Sequence, residues 1–399
     1  MKRSATVDVA IVGGGLVGAS LAAALSKTSL SIALIESAPP PSGEPSWDER
    51  CIALNAASRS VFESIGAWDD LSRFAEPILW THISERGKFG VARFTAQEAG
   101  LPALGYNVPV RAIGELLWQR LAKIPSVSLI CPARVAKVHL DGEAMVIALD
   151  GDEREVRAKL IVAADGAQSA VRHLLGVEAT TRDYDQRAIV TAVRTSRAHR
   201  GCAYERFTPG GPIALLPKPD GACSLVWTVP ADRADEMLAW PDGQFMHEAQ
   251  MAFGERLGRF VELGRRAAYP LTQVMSERLT APRVMFAGNA AQSLHPVAAQ
   301  GFNLGLRDVA AIAALLSGAA DPGASEILSE YERMRGRDRE ITSGFTDRLV
   351  RLFSNRIPAL QDLRHLGLLA LDLLPPVKDA VMWQNLGLGS LPASVHRGP

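Results

Sequence analysis

The segment Val7–Glu36 constrains the fold more than any other part of the chain. Val7–Val12 is a continuous apolar, β-branched run, the pattern of a strand buried on both faces of a parallel sheet. It delivers Gly13-Gly14-Gly15-Leu16-Val17-Gly18, in which Gly13, Gly15 and Gly18 fit G-x-G-x-x-G. The first glycine permits a tight turn, the second lets a pyrophosphate approach the backbone, and the third lets the next helix pack close to the sheet. Alanine-rich Ala19–Leu25 supplies that helix. Ser31–Ile35 reads as a second strand, ending at Glu36, where an acid would accept hydrogen bonds from an adenosine ribose. This order specifies a doubly wound α/β domain with a dinucleotide site.

Two later stretches converge on the same face. Leu160–Ala164 reads as a buried strand running into Asp165-Gly166-Ala167-Gln168-Ser169-Ala170-Val171-Arg172, with Ser169 and Arg172 on the following helix. An Asp-Gly turn at the C-terminal end of a parallel strand lies where such sheets bind ligands. Arg283–Ala287 is a third strand-like run, and helical spacing returns over Asn303–Leu316. Between them Gly288, Pro296, Gly301 and Gly305 are expected to bring backbone N–H groups close to a ligand. The helix start adds unpaired donors and a positive dipole end, a cradle for something anionic or carbonyl-rich.

A chain of 399 residues exceeds one small core, so two domains are expected. Pro39–Pro45 is a turn-rich linker, and Ala53–Ile65 has a helical pattern. Arg50, just before it, is either aimed at the cofactor or a solvated loop residue. Ile78–Phe94 reads as strands of a second sheet. Tyr106–Arg111 reads as a strand and Ala112–Ala122 as a helix, which puts Arg111 at their junction with the same two readings as Arg50. Val127–Leu149 is strand-like with a turn at Asp141-Gly142. Ala188–Ala268 suggests a largely antiparallel sheet with a helical insert over Asp232–Phe260, suited to covering a cofactor and shaping a substrate pocket. Glu326–Phe353 is helical. From Ile357 the chain is dense in leucine, including Leu366–Leu374, Val381, Met382, Trp383 and Leu386. That region is either a helix packed on the domain or an apolar surface for lipid or a partner protein.

Composition narrows the function. Lys+Arg and Asp+Glu both number 43, so no basic field gathers nucleic acid. Cys51, Cys131, Cys202 and Cys223 are scattered without a CxxC pair, which argues against a disulfide framework and a zinc site; they are expected as reduced cysteines in the cytoplasm, with no metal bound. The N-terminal apolar run breaks at glycines, as a first strand does and a signal peptide does not. No run of about 18 apolar residues occurs.

Taken together, GGGLVG, ADGAQSAVR and RVMFAGNAAQSLHPVAAQGFNLG resemble the three fingerprints of the class A FAD-dependent aromatic hydroxylases, the p-hydroxybenzoate hydroxylase-like family. The match follows their order over essentially the whole chain. DERCIALN, VPVRAIGELL and HPVAAQGFNLGLRD are similar to the ubiquinone-biosynthesis hydroxylases, most of all the 2-polyprenyl-6-methoxyphenol hydroxylase type. Where most of the family has Gly-Asp-Ala-Ala-His, this chain has Gly288-Asn289-Ala290-Ala291-Gln292. Asn289 can still accept a hydrogen bond but brings no charge.

The resemblance implies a Rossmann-like α/β FAD-binding domain (1–77, 103–183 and 270–345), interleaved with a mixed or antiparallel-sheet substrate domain (78–102 and 184–269), and a helical C-terminal region (346–399). Gly13, Gly15, Gly18 and Glu36 would hold the ADP half of FAD, with Arg50 and Arg111 on its phosphate or flavin side. Asp165 and Gly166 would serve the pyrophosphate region and binding of the nicotinamide cofactor. Asn289 would take the ribityl chain, and Pro296, Gln300, Gly301 and Asn303 would line the flavin ring. His295 is read either as a hydrogen-bonded structural residue or as a group exchanging a proton with the substrate. The implied activity is hydroxylation of a polyprenylated phenol in ubiquinone biosynthesis with NAD(P)H and O2. Membrane lipid or quinone-biosynthesis proteins are the implied partners, at the inner face of the membrane. Two alternatives share the fingerprints. One is a reductase-like or halogenase-like flavoprotein, although the halogenase motif W-x-W-x-I-P is absent; the other is a noncatalytic FAD-binding scaffold, favoured only by Asn289.

Overall fold

The computed structural model describes residues 4–40, 50–151, 154–293, 300–354 and 374–388, with side chains in the fourth segment described to residue 344. Parallel pairing builds the first sheet. Ser4–Val12 lies between Glu155–Ala163 and Ile32–Ile35, with Val9 opposite both Leu160 and Ile32. Val127–Ile130 extends one side and Val284–Phe286 the other. A hairpin, Val135–Asp141 and Ala144–Leu149, adds antiparallel to Glu155–Ala163. Val9, Ala10 and Ile11 are fully buried, as the unbroken apolar run requires of a strand covered on both faces. The helix Leu16–Leu25 packs between the helices Val110–Leu121 and Gln300–Leu316.

The second sheet has nine strands among the described residues. All its pairs are antiparallel except Cys202–Phe207 beside Trp80–Glu85. Its longest strand, Ala179–Thr195, begins well before the apolar stretch that marks it in the sequence and pairs along its length with Ala267–Ser276. The register shifts between Asp183 and Arg187, where Asp185 has φ +53°. The helices Ala231–Ala239 and Asp242–Phe253 bury Met237, Phe245, Ala249 and Phe253 against one face. The opposite face is left for the site.

A three-stranded sheet was not expected. The helical pattern of Ala53–Ile65 breaks into the strand Cys51–Asn55 and the helix Ala56–Ser64, because Cys51–Asn55 pairs with Gly105–Pro109. A Cβ at Gly105 would stand 2.5 Å from the Leu54 carbonyl oxygen, so glycine is what admits this strand. Asn55 then caps the helix by accepting from the Ser58 N–H at 2.9 Å. Tertiary pairing overrides propensity here. Arg111 falls inside the first turn of Val110–Leu121, not at its start.

Candidate functional site

A cavity of about 1300 Å³ joins the two sheets. Ligand sites of ~300–1,000 Å³ are usual, so this space suits a dinucleotide and a second molecule. At one end it is lined by Gly13, Gly15, Glu36, Asp165 and Gly166; in the middle by Arg50, Asn289, Gln300, Gly301 and Asn303; at the other by the inner face of the second sheet.

The first loop distinguishes its glycines by space. A Cβ at Gly13 would lie 2.4 Å from the Ala164 carbonyl oxygen, and one at Gly18 would lie 1.9 Å from that of Gly13. A Cβ at Gly15 would meet nothing within 4 Å, yet Gly15 lines the cavity and starts the helix Leu16–Leu25 with no side-chain cap. That open ground beside unpaired helix donors suits a pyrophosphate. Trp118, which the sequence reading missed, donates from Nε1 to the Gly14 carbonyl at 2.9 Å and holds the loop from behind. Glu36 accepts from the Gly14 N–H at 2.6 Å and the Ala38 N–H at 2.7 Å.

The other fingerprints dock on the first. A Cβ at Gly288 or Gly305 would press on Val17 at 2.8 and 2.7 Å, so these two glycines let elements pack together instead of presenting N–H groups to a ligand. Gly301 faces open space and lines the cavity. Asp165 spends Oδ2 on the Val171 N–H at 3.1 Å, while its buried Oδ1, like Oε1 of Gln300, has no partner among the described residues. Asn303 is a clamp as well as a lining residue: its Oδ1 accepts from the Asn55 N–H at 3.1 Å and Ser58 Oγ at 2.6 Å, and its Nδ2 donates to the Ala53 carbonyl at 2.9 Å. Arg50 stacks over the Tyr269 ring at 4.7 Å. Arg111 does not line the cavity; its guanidinium lies 3.6 Å from the Glu115 carboxylate. His295 and Pro296 lie outside the described residues.

Behind the loop stands a buried ionic network. Asp308, 1% exposed, accepts from the Gly288 N–H at 2.9 Å, Gln292 Nε2 at 2.8 Å and Arg335 Nε at 2.7 Å. Asp338 takes both Arg335 and Arg307 at 2.5 Å, and the buried Tyr331 hydroxyl donates to the Phe286 carbonyl at 2.8 Å. Burial would lower the pKa of Arg335, but the charges of Asp308 and Asp338 outweigh it and hold the pKa above its ordinary value.

At the far end, Ile83, Phe94, Val190, Leu216, Val226 and Leu271 make an apolar wall that carries one carboxyl group, Glu205. The helix Pro375–Asn385 closes this end: Met382 and Leu386 are buried against Ile78 and Phe94, and Val381 also lines the cavity. In the described part of the C-terminal region the apolar residues thus turn inward, while Leu374 and Val377 remain exposed. Most of Leu366–Leu374 lies outside the described residues. No described helix is long and apolar enough to cross a membrane. Among the described residues no disulfide is formed, and no cluster of His, Cys, Asp and Glu suited to a metal occurs.

Comparison with known proteins agrees with this geometry. The FAD binding domain family matches residues 6–340. Ubiquinone hydroxylase UbiL of Rhodospirillum rubrum is 39% identical, the alignment covering 98% of this chain and 92% of that protein. The 3-demethoxyubiquinol 3-hydroxylase of Escherichia coli is 33% identical over 96% and 98% of the two chains, and human ubiquinone biosynthesis monooxygenase COQ6 is 30% identical over 94% and 91%. In fold the chain is similar to p-nitrophenol 4-monooxygenase PnpA of Pseudomonas putida, with a TM-score of 0.81 at 19% identity and coverage of 98% and 100%. Klebsiella pneumoniae HpxO, crystallised with FAD and uric acid, gives a TM-score of 0.76 at 17% identity, with coverage of 96% and 98%. With the Gly15 cradle, the unpaired Asp165 and Gln300 oxygens and a two-ended cavity matching what FAD and a second molecule require, the chain belongs to the FAD binding domain family and is an FAD-dependent monooxygenase of the same family as the ubiquinone hydroxylases.

Proposed function

We propose that this protein hydroxylates the aromatic ring of a polyprenylated phenol, a precursor of ubiquinone, using NAD(P)H as reductant and O2 as oxygen source. The observation that carries the reading is one continuous cavity with a polar, glycine-lined end and an apolar end. Residues 1–77, 103–183 and 270–345 then form the cofactor domain, and 78–102 with 184–269 the substrate domain. Bound FAD supplies the redox chemistry, accepting electrons from the nicotinamide and activating O2.

The protein's part is to bind, orient and exclude water. Gly15 leaves room for the pyrophosphate beside the first N–H groups of Leu16–Leu25. Glu36 meets the adenosine ribose, and Asp165, Gly166 and Asn289 serve the pyrophosphate and ribityl chain from lining positions. Gln300, Gly301 and Asn303 stand at the start of Gln300–Leu316, where backbone donors favour negative charge on the reduced cofactor. The apolar wall and the Pro375–Asn385 helix keep water from the reacting ring and provide a surface for a prenyl tail. Contact with the membrane delivers so apolar a substrate.

Purified protein is expected to be yellow and to oxidise NAD(P)H faster when a short-tailed prenylphenol is added, with a hydroxylated product detected by mass spectrometry. Oxidation without product sinks the hydroxylase reading in favour of a reductase-like flavoprotein, and no oxidation with FAD bound sinks it in favour of a noncatalytic FAD-binding scaffold. The precursor that accumulates in cells lacking the protein identifies the ring position.

A further inference from the structure

We propose that Glu205 is the residue that recognises the ring hydroxyl of the substrate, its carboxylate accepting the hydrogen bond from the phenol O–H. This rests on the hydroxylase reading above and adds a residue that no fingerprint contains.

The placement follows from strand alternation. In Cys202–Phe207, Tyr204 and Arg206 turn toward the helices: Tyr204 packs edge-on against Phe253 at 5.6 Å, and Arg206 Nη1 donates to the Phe253 carbonyl at 2.5 Å. Ala203, Glu205 and Phe207 line the cavity. Across the ladder Glu205 stands between Ile83 and Ala214. Its carboxyl makes no hydrogen bond and no ion pair among the described residues, and it is the one carboxyl that this sheet contributes to the described cavity lining.

No neighbouring charge compensates it. On the flanking strand Trp80–Glu85 the ionisable groups are His82 and Glu85; His82 belongs to a separate recess on the far face with Arg93, and Glu85 lies opposite Phe207. The other flanking strand, Ile213–Pro217, has none. On its own strand Cys202, Tyr204 and Arg206 alternate with it. Of the other ionisable residues on this sheet, Tyr204 and Tyr269 also border the cavity, Tyr204 with its ring packed against Phe253. Burial alone pushes the Glu205 carboxyl up to about 7.

A carboxyl left unsatisfied in an apolar wall is costly unless a ligand satisfies it. A phenol does so, because its O–H is a good donor, remains protonated at neutral pH and leaves the ring free to lie on the apolar wall. A substrate without a hydroxyl leaves the charge unmatched, and such mismatches discriminate strongly.

The test compares a short-tailed 2-alkylphenol with its O-methyl ether by titrating FAD-loaded protein from pH 5.5 to 8.5, following the flavin absorbance for dissociation constants. Wild type is expected to prefer the phenol by about tenfold at pH 8, as removal of a charge-assisted hydrogen bond implies, and to lose most of that preference by pH 5.5. Glu205→Gln should show a smaller preference that no longer varies with pH, and Glu205→Leu none at any pH. A wild-type preference that is flat with pH, or one that survives in Glu205→Leu, overturns the proposal. Should Glu205→Leu fail to hold FAD, the pH profile of Glu205→Gln decides. Because the readout is binding, phenol bound but never hydroxylated would sink the hydroxylase reading alone. Turnover with a preference untouched by either substitution would sink the Glu205 role alone.

Discussion

Asp308 and Glu205 are both carboxyl groups set in apolar surroundings, and they are handled in opposite ways. Asp308 is met on every side: a backbone N–H, an amide and a guanidinium share its two oxygens. Glu205 is met by none among the described residues, and its surroundings push its pKa upward. A buried charge that the fold has already satisfied belongs to the structure, here to the loop carrying Gly288 and Asn289. One that the fold leaves unsatisfied beside a cavity has a ligand as its remaining partner. The contrast separates a half of the site that is built in advance from a half completed by substrate.

The largest effect should come from breaking the satisfied side. Asp308→Ala strands Arg335 and the Gly288 N–H, and removing one partner of a buried pair costs about 3–5 kcal/mol. Urea unfolding should show that loss, with FAD released early in the transition; an unchanged midpoint would erase the distinction between the two carboxyls.

A sharper cut compares two glycines of one loop. Gly18→Val drives a side chain into the Gly13 carbonyl and should leave little folded protein. A Cβ at Gly15 meets nothing within 4 Å, so Gly15→Val should fold, with a far-ultraviolet spectrum like wild type, yet lose nearly all bound flavin because the branch takes the space of the pyrophosphate. A yellow Gly15→Val protein would mean the cofactor lies elsewhere.

The smallest effect is thermodynamic. Because the folded-state pKa of Glu205 is raised to about 7, the folded protein keeps this proton to higher pH than the unfolded chain, so stability is lost as pH rises from the unfolded carboxyl value, ~4.3, through 7. Glu205→Gln removes the charge. Its melting temperature should exceed that of wild type by about a degree at pH 8 and match it near pH 4, as a change of about 1 kcal/mol would give in a chain of 399 residues. Equal melting temperatures at both pH values would place Glu205 in water and break the comparison from its other side.

Much of the cofactor half was legible because its requirements are local. A tight turn, a close approach and a helix packed on a sheet each demand glycine at a fixed step, so spacing singled out Gly13, Gly15 and Gly18, and strand and helix ends singled out Asp165 and Gly301; Gly13, Gly15, Asp165 and Gly301 line the cavity, and Gly18 packs against the Gly13 carbonyl. The alternation that marks the second sheet was equally local. Boundaries failed where a distant strand intervened: Ala53–Asn55 looks helical until Gly105–Pro109 pairs with it.

What the sequence determined by itself is therefore the class of the fold and the dinucleotide loop, with FAD as the cofactor its family resemblance implies. Tertiary structure alone decided the rest. Gly288 and Gly305 turned from presumed ligand contacts into seats for Val17, and Met382 and Leu386 came back from the end of the chain to close the cavity. Nothing near Asp308 or Glu205 in the sequence tells that one will be satisfied and the other not. Arg335 reaches Asp308 from 27 residues away, and the wall around Glu205 is assembled from strands scattered between Trp80 and Ser276. The charge state of a carboxyl depends on what surrounds it in space, and that is fixed only when the chain has folded.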